Sequence, residues 1–145
     1  MFAPTMLIRG AAAASILGAA VLAAALPQKT PAKVQRYGSV IGVRPEKIDY
    51  YKKLHKAVWP GVLKMIKQCN IRNYSIYLKE VEPGKLYLFS YFEYTGKNYE
   101  ADMTKMAADA TTQEWWKECN PCQLPVPTAR QGEWWSPMEE VFHTD

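Results

Sequence analysis

The order of hydrophobic patterns along this 145-residue chain predicts one α+β domain, β-α-β-β-α-β, an antiparallel sheet with helices on one face. Three observations carry that prediction. Apolar residues at 48, 51, 54, 58, 62, 65, 66 and 69 recur at helical spacing. Two strand-like runs flank the tight turn Glu82-Pro83-Gly84-Lys85 and form a hairpin. One β-branched and aromatic run precedes the first helix, and another closes the chain.

Residues 1–26 stand apart from that domain. Ala11 to Leu26 is an unbroken run of apolar and small residues behind a single charge, Arg9. It is shorter than the roughly 20 residues of a membrane span. It fits the apolar region of a secretory signal, with Ala23-Ala24-Ala25 as an A-x-A cleavage site. Residues 1–26 are therefore expected to be a signal peptide or N-terminal anchor, and the mature protein to be exported, periplasmic or extracellular. Met6 as the start would put Arg9 in a short n-region. An uncleaved leader makes the protein membrane-anchored; a misassigned start codon makes it cytoplasmic. Residues 27–33 read as a linker and 34–145 as the domain.

Val34 to Val43 reads as the first strand, rich in β-branched and aromatic bulk. Pro45 suits a helix start, where its missing N–H costs nothing. Ile48 to Cys69 follows as helix, with a kink or break at Pro60, which cannot donate to the carbonyl of Lys56. Tyr74 to Lys79 alternates as a half-buried strand, and Leu86 to Tyr94 returns as its hairpin partner. Asn98 to Ala110 and Thr112 to Cys119 read as helices, Asn120 to Pro137 as a Pro-rich loop, and Met138 to Phe142 as the last strand. In that strand Glu139 and Glu140 point to opposite faces. If the uncovered sheet face is apolar it needs a cover, and a homodimer packing sheets or exchanging strands is the economical one.

Without the leader, seventeen basic residues oppose fourteen acidic ones. A net charge of +3 with no basic run does not argue for nucleic acid. The cysteines are Cys69, Cys119 and Cys122. Cys119-Asn-Pro-Cys122 has the spacing of a metal or redox pair, but a structural zinc site wants four ligands and no second pair exists. In an exported protein that pair can close a local disulfide.

Candidate chemistry gathers on one helix. Tyr51, His55 and Trp59 are four residues apart and share a face. Imidazole both gives and takes a proton near neutral pH. Flat aromatic surfaces beside a few hydrogen-bonding groups suit a sugar ring, and Tyr74, Trp115 and Trp116 are available for that task. Adjacent tryptophans on a helix point about 100° apart, so at most one of Trp115 and Trp116 faces a pocket squarely. The plain alternative is that these aromatics, and His55 with them, are core. His143, near the chain end, reads as exposed.

Four motifs in order then add up to a resemblance. Tyr51-Lys-Lys-Leu-His55-Lys-Ala-Val-Trp59-Pro60 resembles the first-helix motif of the L-rhamnose mutarotase family. Asn73-Tyr74-Ser75-Ile76-Tyr77-Leu78 resembles its second strand, Gln113-Glu114-Trp115-Trp116 its second-helix motif, and Met138-Glu-Glu-Val-Phe-His143 its closing strand. The resemblance spans about residues 36 to 145. It implies a ferredoxin-like fold of the dimeric α+β barrel type and interconversion of the α and β anomers of L-rhamnose. It also implies His55 as catalytic proton donor and Tyr51, Tyr74, Trp115 and Trp116 as substrate-binding residues, with no metal and no organic cofactor. Trp59 is a further candidate for the sugar, from its place on the helix. Two departures are the export-like leader and the long Cys- and Pro-containing stretch before Trp134-Trp135. Competing readings are a non-catalytic sugar-binding module and a haem-handling barrel with His55 as axial ligand.

Overall fold

The computed structural model describes residues 33–144, so the leader, the linker up to residue 32 and Asp145 lie outside the described residues. The sheet is organised around β1 (Gln35–Val43), which pairs along its whole length, antiparallel, with β3 (Lys85–Tyr94). β2 (Ile71–Glu82) pairs antiparallel with the far edge of β3. Gly84 makes the β2–β3 turn at φ +73, a conformation that costs glycine no steric strain. The near edge of β1 is shared. β4 (Gln123–Leu124) pairs with Gly42 and Val43, and β5 (Ser136–Met138) pairs with Gly38 to Val40. The order β2-β3-β1-β4 is that of the ferredoxin-like α+β fold.

Each crossover is two helices rather than one. α1 (Ile48–Lys56) follows a 3-10 turn at Pro45–Lys47. α2 (Pro60–Gln68) begins at the proline, after Trp59 is pushed into an extended conformation, φ −60 and ψ 135, as residues before proline are. The interruption at Pro60 is thus a full break, with Ala57 donating back to Leu54 to finish α1. In the second crossover Asn98 caps α3 (Tyr99–Ala108), and Asp109 caps α4 (Ala110–Cys119) by accepting from the Thr112 N–H at 2.8 Å.

Antiparallel partners face the same side, so Ile41 of β1, Leu88 of β3 and Leu78 of β2 point together toward the helices. With Val43, Tyr51, Val62, Trp115, Cys119 and Cys122 they form the core. The opposite face carries Val40, Phe89 and Tyr77 in one row and Tyr87 and Tyr91 beside it, and Tyr77 is 63 % exposed.

The C-terminal third differs from the sequence reading. The stretch Asn120 to Pro137 is not all loop: it holds a 3-10 turn at Asn120–Cys122, β4, and the start of β5. The last strand is Ser136–Met138 rather than Met138 to Phe142, and Glu139 and Glu140 lie beyond it, both exposed. Val141 and Phe142 are 88 % and 80 % exposed. Strand preference expresses a fit to a half-buried pleated surface, and no such surface receives these two side chains in the described chain.

Candidate active site

The site is built on the last turns of α1. Tyr51 faces the core and is 4 % exposed, and its ring stacks on His55 with centroids 4.0 Å apart. The His55 Nδ1 lies 3.0 Å from the Tyr51 carbonyl oxygen. A carbonyl only accepts, so Nδ1 carries the proton and Nε2 presents its lone pair. Nε2 has no hydrogen-bond partner among the described residues. Partial burial lowers the imidazole pKa from its ordinary 6.5, against the smaller opposing effect of the Tyr51 carbonyl. The resting ring is therefore neutral at pH 7 and basic at Nε2.

α4 supplies the wall. Trp115, 6 % exposed, meets His55 edge-on at 5.3 Å and Trp59 at 5.4 Å. Such aromatic pairs contribute about 0.5–1.5 kcal/mol each beyond burial and fix the ring planes. Trp59 reaches this cluster although α1 has ended before it, because the extended residue ahead of Pro60 leads the chain back toward α4. Trp116 points elsewhere and is 37 % exposed.

A cleft of about 290 Å³ opens between α1 and the sheet, lined by Ile48, Tyr51, Lys52, His55 and Lys56 on one side and Ile76, Leu78 and Leu88 on the other. That volume is at the small end of ligand pockets and suits a monosaccharide better than a larger cofactor. Its apolar floor and flanking lysines place one basic nitrogen beside a sheltered surface.

Tyr74 sits at the bulge where β2 slips register between Arg72 and Ser75, next to Asn73 at φ 48. Its ring neighbour is Phe92, edge-on at 5.6 Å, rather than His55. Tyr74 keeps 44 % of its surface open, yet desolvation pushes its phenol up to about 12. The exposed area and the sheltered hydroxyl belong to different ends of one side chain. The Tyr51 phenol is raised further still, first by burial and then by the proximity of Tyr74, while the Gln123 side chain acts in the opposite direction. Both phenols hold their protons at neutral pH.

The structure thus joins Tyr51, His55, Trp59 and Trp115 by direct ring contact, brings Tyr74 near Tyr51, and leaves Trp116 outside the cluster. Gln123 was not singled out by sequence reasoning. Its position inside an apparent Pro-rich loop hid the two-residue strand that buries it. The three cysteines are free, buried thiols, and desolvation pushes Cys119 up to about 12. They are neither a disulfide nor nucleophiles at neutral pH. Among the described residues no three His, Cys, Asp or Glu side chains converge as a metal-holding group. His143 is exposed.

The sequence matches the family model for L-rhamnose mutarotase over residues 36–144. It is 32% identical to an L-rhamnose mutarotase from Oceanobacillus iheyensis, over 77% of this chain and 100% of that one. It is 31% identical to an L-rhamnose mutarotase from Bacillus subtilis, again over 77% and 100%. Among solved structures, an L-rhamnose mutarotase from Formosa agariphila superposes with a TM-score of 0.56 at 20% identity, covering 77% of this chain and 99% of that one, a likeness of fold.

Proposed function

The chain belongs to the L-rhamnose mutarotase family, and on that premise we propose that it is an isomerase interconverting the α and β anomers of L-rhamnose, with His55 as its acid–base group. The reaction needs a proton taken from the anomeric hydroxyl and a proton given to the ring oxygen. The hemiacetal then opens to the aldehyde, C1 turns, and the ring recloses with both transfers reversed. Neutral His55 takes the first proton at Nε2, and a phenol of the Tyr51–Tyr74 pair, kept protonated by its surroundings, gives the second. The resulting imidazolium is the proton donor of the closing step. Trp115 and Trp59 set the imidazole plane and offer apolar surface to the sugar's C–H face.

The observation that carries this reading is the His55 tautomer. Nδ1 is occupied by the Tyr51 carbonyl, so Nε2, without a partner among the described residues, is the basic atom of a ring that lines a sugar-sized cleft. Saturation-transfer NMR on L-rhamnose tests it. Wild-type protein accelerates exchange between anomer signals, and His55→Gln removes the acceleration. Binding without exchange makes the protein a sugar-binding module instead.

Two further parts belong to the proposal. The aromatic sheet face with Tyr77, Phe89 and Tyr91 supports a homodimer packed sheet to sheet, which sedimentation velocity reads as twice the chain mass. The leader, residues 1–26, supports export and action on sugar outside the inner membrane; N-terminal sequencing of the mature protein locates the cleavage.

A further inference from the structure

On the helix-facing side of the sheet one row breaks the apolar pattern. Ser39 of β1 stands opposite Ser90 of β3, with Ile76 of β2 beyond Ser90 and Pro137 of β5 beyond Ser39. The two hydroxyl oxygens lie 2.6 Å apart and share a hydrogen bond. Ser90 is 4 % exposed and Ser39 is half-buried. The rows on either side are bulky: Ile41, Leu88 and Leu78 on one, Tyr37 and Phe92 on the other. The serine side chains stop short of these neighbours on the same face. Ile76 and Leu88, next to Ser90 across and along the sheet, line the cleft that holds His55. On the far side Phe92, the next residue of that face, carries Tyr74 edge-on.

The hydrogen-bond count leaves a donor over. Each hydroxyl has one proton and two acceptor sites, and the bond within the pair uses one proton of the two. Neither hydroxyl makes a further side-chain hydrogen bond among the described residues, and Ile76, Leu88, Phe92 and Pro137 offer no acceptor. Packing alone favours a β-branched apolar residue in such a row. A polar pair with a spare proton, set in an apolar layer beside a sugar-sized cleft, fits the hydroxyl of a ligand.

We propose that Ser39 and Ser90 form a subsite for a ring hydroxyl of the sugar, the one on C3 or C4, and so help decide which aldoses the site accepts. This rests on the mutarotase reading. Two residues of strand separate Leu88 from Ser90, roughly 6.8 Å, which is about the breadth of a pyranose ring. A sugar whose anomeric carbon meets His55 Nε2 above Leu88 therefore lays its opposite edge, C3 and C4, on the serine pair. Its C–H groups rest on Ile76, Leu78 and Leu88. The spare serine proton goes to the sugar oxygen, and the sugar's own hydroxyl proton returns to a serine oxygen, so every group is satisfied. A sugar lacking that hydroxyl leaves the serine proton unpaired in an apolar layer, and the site discriminates against it. The pair makes and breaks no covalent bond. It acts on KM and on the choice of sugar, while His55 acts on the rate.

A cycle of variants against substrates tests this. Anomer exchange is measured by saturation-transfer NMR on L-rhamnose and its 2-deoxy, 3-deoxy and 4-deoxy derivatives, with wild type, Ser39→Ala and Ser90→Ala. On L-rhamnose each variant loses about fivefold in kcat/KM, mostly as a higher KM. On either the 3-deoxy or the 4-deoxy sugar the wild type shows that same loss, and the variants lose nothing more, because the bond is already gone. On the 2-deoxy sugar the two losses multiply. A loss shared equally by all four sugars, or no loss on any, overturns the subsite. So does a lower melting temperature with the sugar preferences unmoved, which is what a purely structural pair gives. Wild-type protein that accelerates no exchange on any sugar overturns the mutarotase reading instead. The same panel is then read as dissociation constants by calorimetry, and the same non-additivity upholds or overturns the subsite. A protein that binds none of the four overturns both.

Discussion

The molecule holds two aromatic clusters of similar size, and only one of them is arranged for chemistry. Around His55 the rings of Tyr51, Trp115 and Trp59 enclose an imidazole whose Nε2 has no partner among the described residues and which borders a cleft. In the second cluster Tyr37 stacks on Phe92 and Tyr99, Tyr94 meets Tyr99 edge-on, and Tyr74 meets Phe92 edge-on and alone links it toward the site. There the Tyr37 and Tyr94 hydroxyls are tied down within the protein. The Tyr94 hydroxyl donates to Asp102 Oδ2 at 2.7 Å and accepts from the Asn98 N–H, and Asn70 donates to the same carboxylate oxygen at 2.8 Å. Gly96 is there because a Cβ would stand 2.2 Å from the Tyr94 hydroxyl oxygen. The Tyr94 and Asn70 hydrogen bonds hold the Asp102 carboxyl below its usual value. Aromatic density alone therefore marks packing; a site is marked by a titratable atom left without a partner where solvent or ligand can reach it.

Four substitutions break or sharpen that contrast. The largest effect belongs to His55→Gln, which should reduce rhamnose exchange by about 100-fold or more while leaving the melting temperature nearly unchanged. Equal loss of both would move His55 into the class of Tyr94. Trp115→Ala should damage both properties, since emptying a buried tryptophan site costs about 3–5 kcal/mol and frees the imidazole plane; chemical denaturation and exchange NMR measure the two losses. Asp102→Asn should show the reverse of His55→Gln, a melting temperature lower by several degrees with exchange per folded molecule unchanged. Trp116→Ala, at an exposed position, should alter exchange by no more than about twofold. A large loss there would put a second tryptophan on the sugar.

Acidity provides a further separation. The His55 pKa is depressed, so the midpoint of its charging lies below 6.5. Exchange should fall with acidity along a limb whose midpoint lies below 6.5. An acid limb centred above 6.5 would contradict burial as the dominant influence on the ring.

Much of this was legible in the chain because local rules and the fold agree. Pro60 announces the helix break, Pro83-Gly84 the hairpin, and the spacing of Tyr51 and His55 their stacking. What escaped depends on contacts between distant segments. Ser136–Met138 is a strand because β1 has a free edge opposite it, although Pro137 argues against a strand and Val141-Phe142 argues for one further along. Trp59 joins its neighbours after α1 has ended, so helical spacing gave the right company for the wrong reason. Gln123 is buried only because β4 pairs with Val43, a two-residue event with no periodicity to read. Similarly, nothing in the Trp115-Trp116 doublet says which ring turns inward; the packing of α4 against α2 and the sheet decides.

The shared edge of β1 separates what can vary from what cannot. Because β4 and β5 pin both ends of the excursion from Pro125 to Trp135, its length changes little in the rest of the domain: doubling a loop costs only about 0.6 kcal/mol in closure entropy. Evolution is free to lengthen, shorten or rewrite that excursion while the floor beneath His55 stands, provided the Trp134 indole returns to donate to the Gln123 side chain.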